Sequence, residues 1–215
     1  MRAAIFALLL CLRMPLGLRA QDTCFVSLPV TDSIFQRMQG KSFPTGCTVS
    51  RSELRYLLLS YRDADGETRQ GEMVCNKAIA ADLVDIFREL WLGGYRIERM
   101  SLVDDYGADD QRSMAANNTS CFNFRYVSGT HTVSKHGRGM AVDVNPLYNP
   151  YVYTRGGKSG VEPQEGSPYA TNRESRSDIP YKIDHNDLCY KLFRSRGFRW
   201  GGDWAHSKDY QHFEK

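Results

Sequence analysis

RYLLLSYRDADGETRQGEMV, residues 55–74, decides the fold. Arg55–Tyr61 is an aromatic and aliphatic run that reads as a strand. Asp63–Gly66 (DADG) is a turn, and Thr68–Val74 returns as the partner, so the stretch predicts an antiparallel hairpin. Just beyond it, Asn76 is placed to cap a helix. Ile79, Leu83, Ile86, Phe87 and Leu90 then recur at helical spacing until Gly93-Gly94 stops the run. That helix reads as core packing without chemistry.

Working outward, Tyr95–Val103 reads as a further strand. Asp104–Ser120 is a polar loop with a short helical stretch near Arg112–Ala116, and Phe122–Val127 is another strand candidate. Ala141–Asn145 alternates: Val142 and Val144 face the core, while Ala141, Asp143 and Asn145 face the other way. Residues 146–185, rich in Pro, Gly, Ser and Tyr, read as one long connection. Asp187–Arg196 predicts a helix closed by Gly197. Phe198–Trp200 and Tyr210–Phe213 are the last strands. Hairpins and helices mix without regular strand–helix alternation, which predicts an α+β fold with an antiparallel sheet core flanked by helices.

At the start of the chain, Arg2 precedes an unbroken apolar run from Ala3 to Leu12, and Ala20 precedes a cleavage point. The run is too short to span a bilayer, so residues 1–20 are expected to be a signal peptide; an N-terminal core or anchor helix is the alternative. Residues 21–50 show little periodicity and are expected to be an extension wrapping a domain over residues 51–215. Processing would remove Arg2, Arg13 and Arg19 and no acid. The remaining Lys and Arg then balance the 25 Asp and Glu, so the formal charge of +3 belongs to the signal. A near-neutral mature chain speaks against a nucleic-acid partner. It also leaves no stable membrane span. Cys24, Cys47, Cys75, Cys121 and Cys189 remain. Export permits disulfides, but an odd number leaves at least one thiol unpaired within the chain. There is no C-x-x-C spacing for a four-cysteine zinc knuckle.

Five histidines are present, and two have unusual settings. His136 lies in SKHGRGMAVD, residues 134–143. Gly137 and Gly139 permit a close-packed turn after it, and Asp143 follows on a strand. A histidine in a loop and a carboxylate on the next strand can converge on one point, and imidazole with carboxylate is an ordinary zinc set. His212 lies in DYQHF, residues 209–213, where a turn would put Asp209 and His212 on one side. His212 is then available as a third ligand, and Asp209 as the acid that takes a proton from water. Each fragment alone is weak, because a lone histidine is more often a surface group or a satisfied core group. The weight comes from the combination, with GFRWGGDW (residues 197–204) lying between the two.

SKHGRGMAVD, GFRWGGDW and DYQHF together resemble the zinc D-alanyl-D-alanine carboxypeptidase-like peptidases. These act in bacterial cell-wall metabolism and include D-Ala-D-Ala dipeptidases and L-Ala–D-Glu endopeptidases. The resemblance covers roughly residues 55–215. It implies one zinc ion per chain, held by His136, Asp143 and His212 in a cleft on the sheet, with Asp209 as catalytic base. It also implies that Ser134 lies near the substrate and that an arginine steadies the oxyanion or a substrate carboxylate. Arg125 is the first choice for that arginine and Arg138 the second. Trp200, Gly201, Gly202, Asp203 and Trp204 are expected to shape the site wall, and Asp203 to orient a ligand histidine. His131, His185 and His206 read as surface or supporting groups. Tyr148, Tyr151 and Tyr153 read as cleft or core aromatics. The expected substrate is a peptidoglycan stem peptide, met in the periplasm or cell envelope. Removal of terminal D-Ala is preferred over L-Ala–D-Glu cleavage, and a zinc-stabilised module that binds wall peptides without cutting them is the alternative from another class.

Overall fold

The computed structural model describes residues 23–127 and 129–215; the signal peptide expected at residues 1–20 lies outside them. The hairpin forms as read, from β2 (Leu54–Arg62) and β3 (Thr68–Asn76), with Arg62 opposite Thr68 and Leu54 opposite Asn76. Its turn closes because Asp63 Oδ1 accepts from the backbone N–H groups of Asp65 and Glu67, while Gly66 takes φ +88°. Both faces of the hairpin bury apolar side chains. Leu57, Leu59, Met73 and Cys75 pack under helix α2 (Ala80–Leu92), whereas Leu54, Tyr56 and Val74 pack in a second cluster with Val30, Met38, Leu102 and Phe122. Both sides are covered, which is why the sequence runs LLL rather than alternating. Each Leu or Phe fully buried here contributes roughly 1.5–3 kcal/mol. Asn76 sits one turn ahead of α2, and its side chain accepts from the Ala78 N–H.

The N-terminal segment does more than wrap. It supplies edge strand β1 (Phe25–Pro29), paired along β2, and helix α1 (Asp32–Met38), capped by Thr31. Tyr95–Val103 is extended but is not a regular strand. Its backbone groups are shared out: Ile97 donates to the Arg62 carbonyl and Met100 accepts from the Glu72 N–H, while Asn145 bonds the Glu98 N–H and the Arg96 carbonyl and Asn118 bonds the Ser101 N–H and carbonyl. Helix α3 (Asp110–Ala115) follows. Phe122–Val127 also differs from its reading as a strand. The segment Ser120–Phe122 stitches two sheets together, with Phe122 donating to the Val74 carbonyl and Ser120 exchanging two backbone bonds with Asp143.

Asp143 ends β4 (Ala141–Asp143), where every residue is buried; Ala141 and Asn145 are covered as fully as Val142 and Val144. Residues 146–185 are not a structureless connection. They contain the hairpin β5 (Tyr151–Arg155) and β6 (Lys158–Glu162), turned by Gly156-Gly157. Helix α4 (Leu188–Ser195) is capped by Asp187 and closed by Gly197 at φ +82°. Then come β7 (Arg199–Trp200), β8 (Ser207–Asp209) and β9 (His212–Glu214). The strands build three antiparallel sheets, β1-β2-β3, β4-β9-β7 and β6-β5-β8. This is the α+β class read from the sequence. Phe193 of α4 stacks on Phe213 of β9 at 4.3 Å, which anchors the chain end that carries His212. Cys24, Cys47, Cys75, Cys121 and Cys189 are all free thiols. No helix among the described residues is long and apolar enough to cross a membrane.

Candidate metal centre

Asp143 and His212 face each other in register across β4 and β9. His136 opens the short 3-10 turn 136–138, which ends at Gly139 with φ +68°. A Cβ on Gly139 would stand 2.7 Å from the Asn76 backbone N, so only glycine lets this turn lie against β3. The Ser134 hydroxyl holds the turn by accepting from the Gly137 N–H at 2.9 Å.

The three side chains meet in a small triangle. His136 Nε2 lies 3.1 Å from His212 Nδ1 and 3.2 Å from Asp143 Oδ1, and His212 Nδ1 lies 3.1 Å from Asp143 Oδ1. All three residues are buried. The outer ring atoms fix which nitrogens point inward. His136 Nδ1–H donates to the Cys121 carbonyl at 2.7 Å, leaving Nε2 as a lone pair. His212 Nε2–H donates to Glu214 Oε2 at 3.4 Å, leaving Nδ1 as a lone pair. Two imidazole lone pairs and a carboxylate oxygen thus face one another out of water, an arrangement that repels itself unless a cation lies among them. Tetrahedral zinc with ligands at about 2.0–2.1 Å needs ligand atoms about 3.3 Å apart, close to the separations here. The donor set and spacing fit zinc.

Burial works against ionisation of Asp143, but the facing His136 and His212 outweigh it and hold the carboxyl below its ordinary range. Burial likewise disfavours the His212 imidazolium, while Asp143 and Glu214 raise its pKa above the ordinary value. A proton and a metal ion therefore compete for this site.

A cavity of about 340 Å³ opens over the triangle, and Ser134, Arg125, Asp209, Trp204 and Glu162 line it. Asp209 ends β8, opposite Tyr151 of β5, so the pocket lies where two sheets meet. Gly201 cradles it: a Cβ there would lie 2.7 Å from Asp209 Cβ. Asp209 Oδ1 and Gln211 Oε1 are buried without a hydrogen-bond partner among the described residues, so both await something polar. Burial lifts the Asp209 carboxyl to about 7; His212 opposes that rise and Asp143 adds to it.

The other sequence candidates divide. Arg125 lines the pocket, with its Nε 2.9 Å from Asp110 Oδ2. Arg138 is exposed and is not among the residues that line the pocket. Asp203 does not orient a ligand histidine. Its Oδ1 lies 2.7 Å from His185 Nε2, and Glu214 holds the position expected of it. Trp200 packs on Phe213 in the core and donates to the Tyr210 carbonyl, while Trp204, 5.3 Å from the His212 ring, forms the wall. Tyr151 lines the pocket, whereas Tyr148 packs against Tyr169 and Tyr181. Tyr153 packs against Tyr151. Glu214 was legible: two residues after His212 on a strand, it must share that residue's face. Trp204 stands in the GFRWGGDW motif read as site wall, whereas Glu162 carried no comparable signal.

Residues 128–215 match the family described as D-alanyl-D-alanine carboxypeptidase. No curated protein and no solved structure matched the chain. The matched stretch, residues 128–215, includes all three ligand candidates and Asp209.

Proposed function

We propose that this protein is a zinc peptidase that removes the terminal D-Ala from peptidoglycan stem peptides after export to the periplasm or cell envelope. The observation that carries the proposal is the buried triangle of His136, Asp143 and His212 beneath a pocket that also holds Asp209. The family match over residues 128–215 supports the peptide substrate.

His136, Asp143 and His212 would hold the ion, which when bound supplies Lewis-acid polarisation of the scissile carbonyl and acidifies water. The protein's own groups do the rest. Cys121 and Glu214 lock the two imidazoles in the tautomers that bind metal. Asp209, with a free oxygen in a dry site and a pKa near neutrality, accepts the proton of the attacking water and passes it to the leaving amine. Arg125, anchored by Asp110, offers its guanidinium to the oxyanion or to the substrate carboxylate.

The test pairs a pentapeptide stem ending in D-Ala-D-Ala with a substrate containing the L-Ala–D-Glu bond. Release of D-Ala from the first supports the proposal. Cleavage of only the second replaces it with the endopeptidase reading. Tight binding of either peptide to zinc-loaded protein without turnover favours the binding module.

A further inference from the structure

A second cavity, of about 200 Å³, shares no lining residue with the metal pocket. Both open on the same stretch of chain. Lys208 and Tyr210 face the second cavity, whereas Asp209 and Gln211 face the metal pocket. One strand's thickness thus separates the two, by the ordinary alternation of side chains.

The floor of this cavity is cationic. Arg173 is 95% buried, since only 5% of its surface is exposed, and its Cζ sits 4.3 Å from the Tyr210 ring centre. Its terminal nitrogens donate to the carbonyls of Tyr148 and Tyr169 and to Asn149 Oδ1, all neutral acceptors. Nε has no hydrogen-bond partner, and among the described residues no carboxylate lies within ion-pair reach of the guanidinium. A buried arginine with neither a countercharge nor a full set of acceptors is costly, and native proteins keep such groups matched. Lys208 and Lys182 add two further cations: Lys208 donates to the Gly202 carbonyl, and Lys182 donates to the carbonyls of Arg173 and Arg176. The rim carries acids: Asp184 lies 3.5 Å from Lys182 and Asp203 2.7 Å from His185, while Glu174 is exposed and has no ion-pair partner among the described residues, which leaves it free for an ammonium. Trp200 gives the cavity an apolar wall.

We infer that this cavity is a second ligand site for a zwitterion of amino-acid size. The carboxylate would lie on the floor against Arg173 and Lys208, and the ammonium would lie at the acidic rim. Acids at the rim and cations at the floor favour separated charges over a simple anion. The inference does not depend on the peptidase reading, which adds only a source of such a molecule in the amino acid released by hydrolysis.

Calorimetric titration of the His136→Ala protein, whose metal site is broken, tests the inference apart from catalysis. The probes are D-alanine, L-alanine, acetate, methylamine and inorganic phosphate. At least one alanine enantiomer is expected to bind at least tenfold more tightly than acetate, methylamine or phosphate. Lys208→Glu is expected to weaken that binding at least tenfold, and Arg173→Lys, a second variant that keeps a cation, should weaken it while the protein stays folded. Equal binding of acetate or phosphate would overturn the zwitterion assignment. Absence of binding by either alanine at millimolar concentrations, or binding indifferent to Lys208→Glu, would overturn the site.

Discussion

Replacing Glu214 should loosen zinc without touching a ligand. Its Oε2 accepts from His212 Nε2–H at 3.4 Å, its side chain is only 11% exposed, and among the described residues it is the one carboxylate bonded to either histidine's outer nitrogen. Loss of such an outer partner costs about 10–100-fold in metal affinity, or about 1.4–2.7 kcal/mol. A separation of 3.4 Å is long for a charge-assisted bond, which places Glu214→Ala at the lower end, about tenfold. Glu214→Gln keeps an acceptor for Nε2–H and loses only charge, so its loss should be smaller, about threefold. Glu214 also pairs with Arg199, so Arg199→Ala is the control: it removes that pair and leaves the His212 contact in place. Zinc affinity is read by competition against a chromophoric chelator at fixed pH. Wild-type affinity in Glu214→Ala would refute the reasoning. So would an Arg199→Ala loss as large as that of Glu214→Ala.

Other outcomes follow from the same geometry. Asp209→Asn should lower kcat by about 10²–10⁴-fold with zinc content unchanged, measured by turnover beside metal analysis. Arg125→Ala should lower kcat/KM for a substrate ending in a carboxylate by at least tenfold, whereas Arg138→Ala, outside the pocket, should change it less than twofold. Asp187 caps α4 with a carboxyl that burial pushes up from 3.8 to about 6. A raised acid favours its protonated form, so folding loses stability as pH climbs from about 3.8 to about 6, with the loss complete above that and none below. Asp187→Asn keeps the cap acceptor and should stabilise the protein by about 1–3 kcal/mol at pH 7.5, with no gain at pH 4, measured by denaturant unfolding.

The parts of this fold legible in the sequence were those specified locally. The DADG turn, the α2 periodicity and the Asp187–Gly197 caps each rest on a few adjacent residues, and each stands where it was read. The metal residues were legible because two short motifs carry them, and β4–β9 pairing is what brings the motifs together. The misreadings share a cause in long-range contacts. Tyr95–Val103 looks like a strand, yet Asn118 and Asn145, distant in sequence, satisfy part of its backbone. The β5–β6 hairpin was hidden in a stretch rich in Gly and Pro, although the aromatic run YVYTR followed by Gly-Gly was a usable signal. Asp203 sits two residues along a 3-10 turn from Gly201, and the direction of that turn sends its side chain to His185. Nothing in the local sequence fixes that direction.

Metal content of the purified protein, beside His136→Ala and His212→Ala, tests the central claim most directly. The account predicts about one zinc per wild-type chain and its loss in both variants, with the fold retained in the circular dichroism spectrum. A folded wild-type protein that takes up no zinc when supplied with it, or variants that hold zinc as tightly as the wild type, would contradict it.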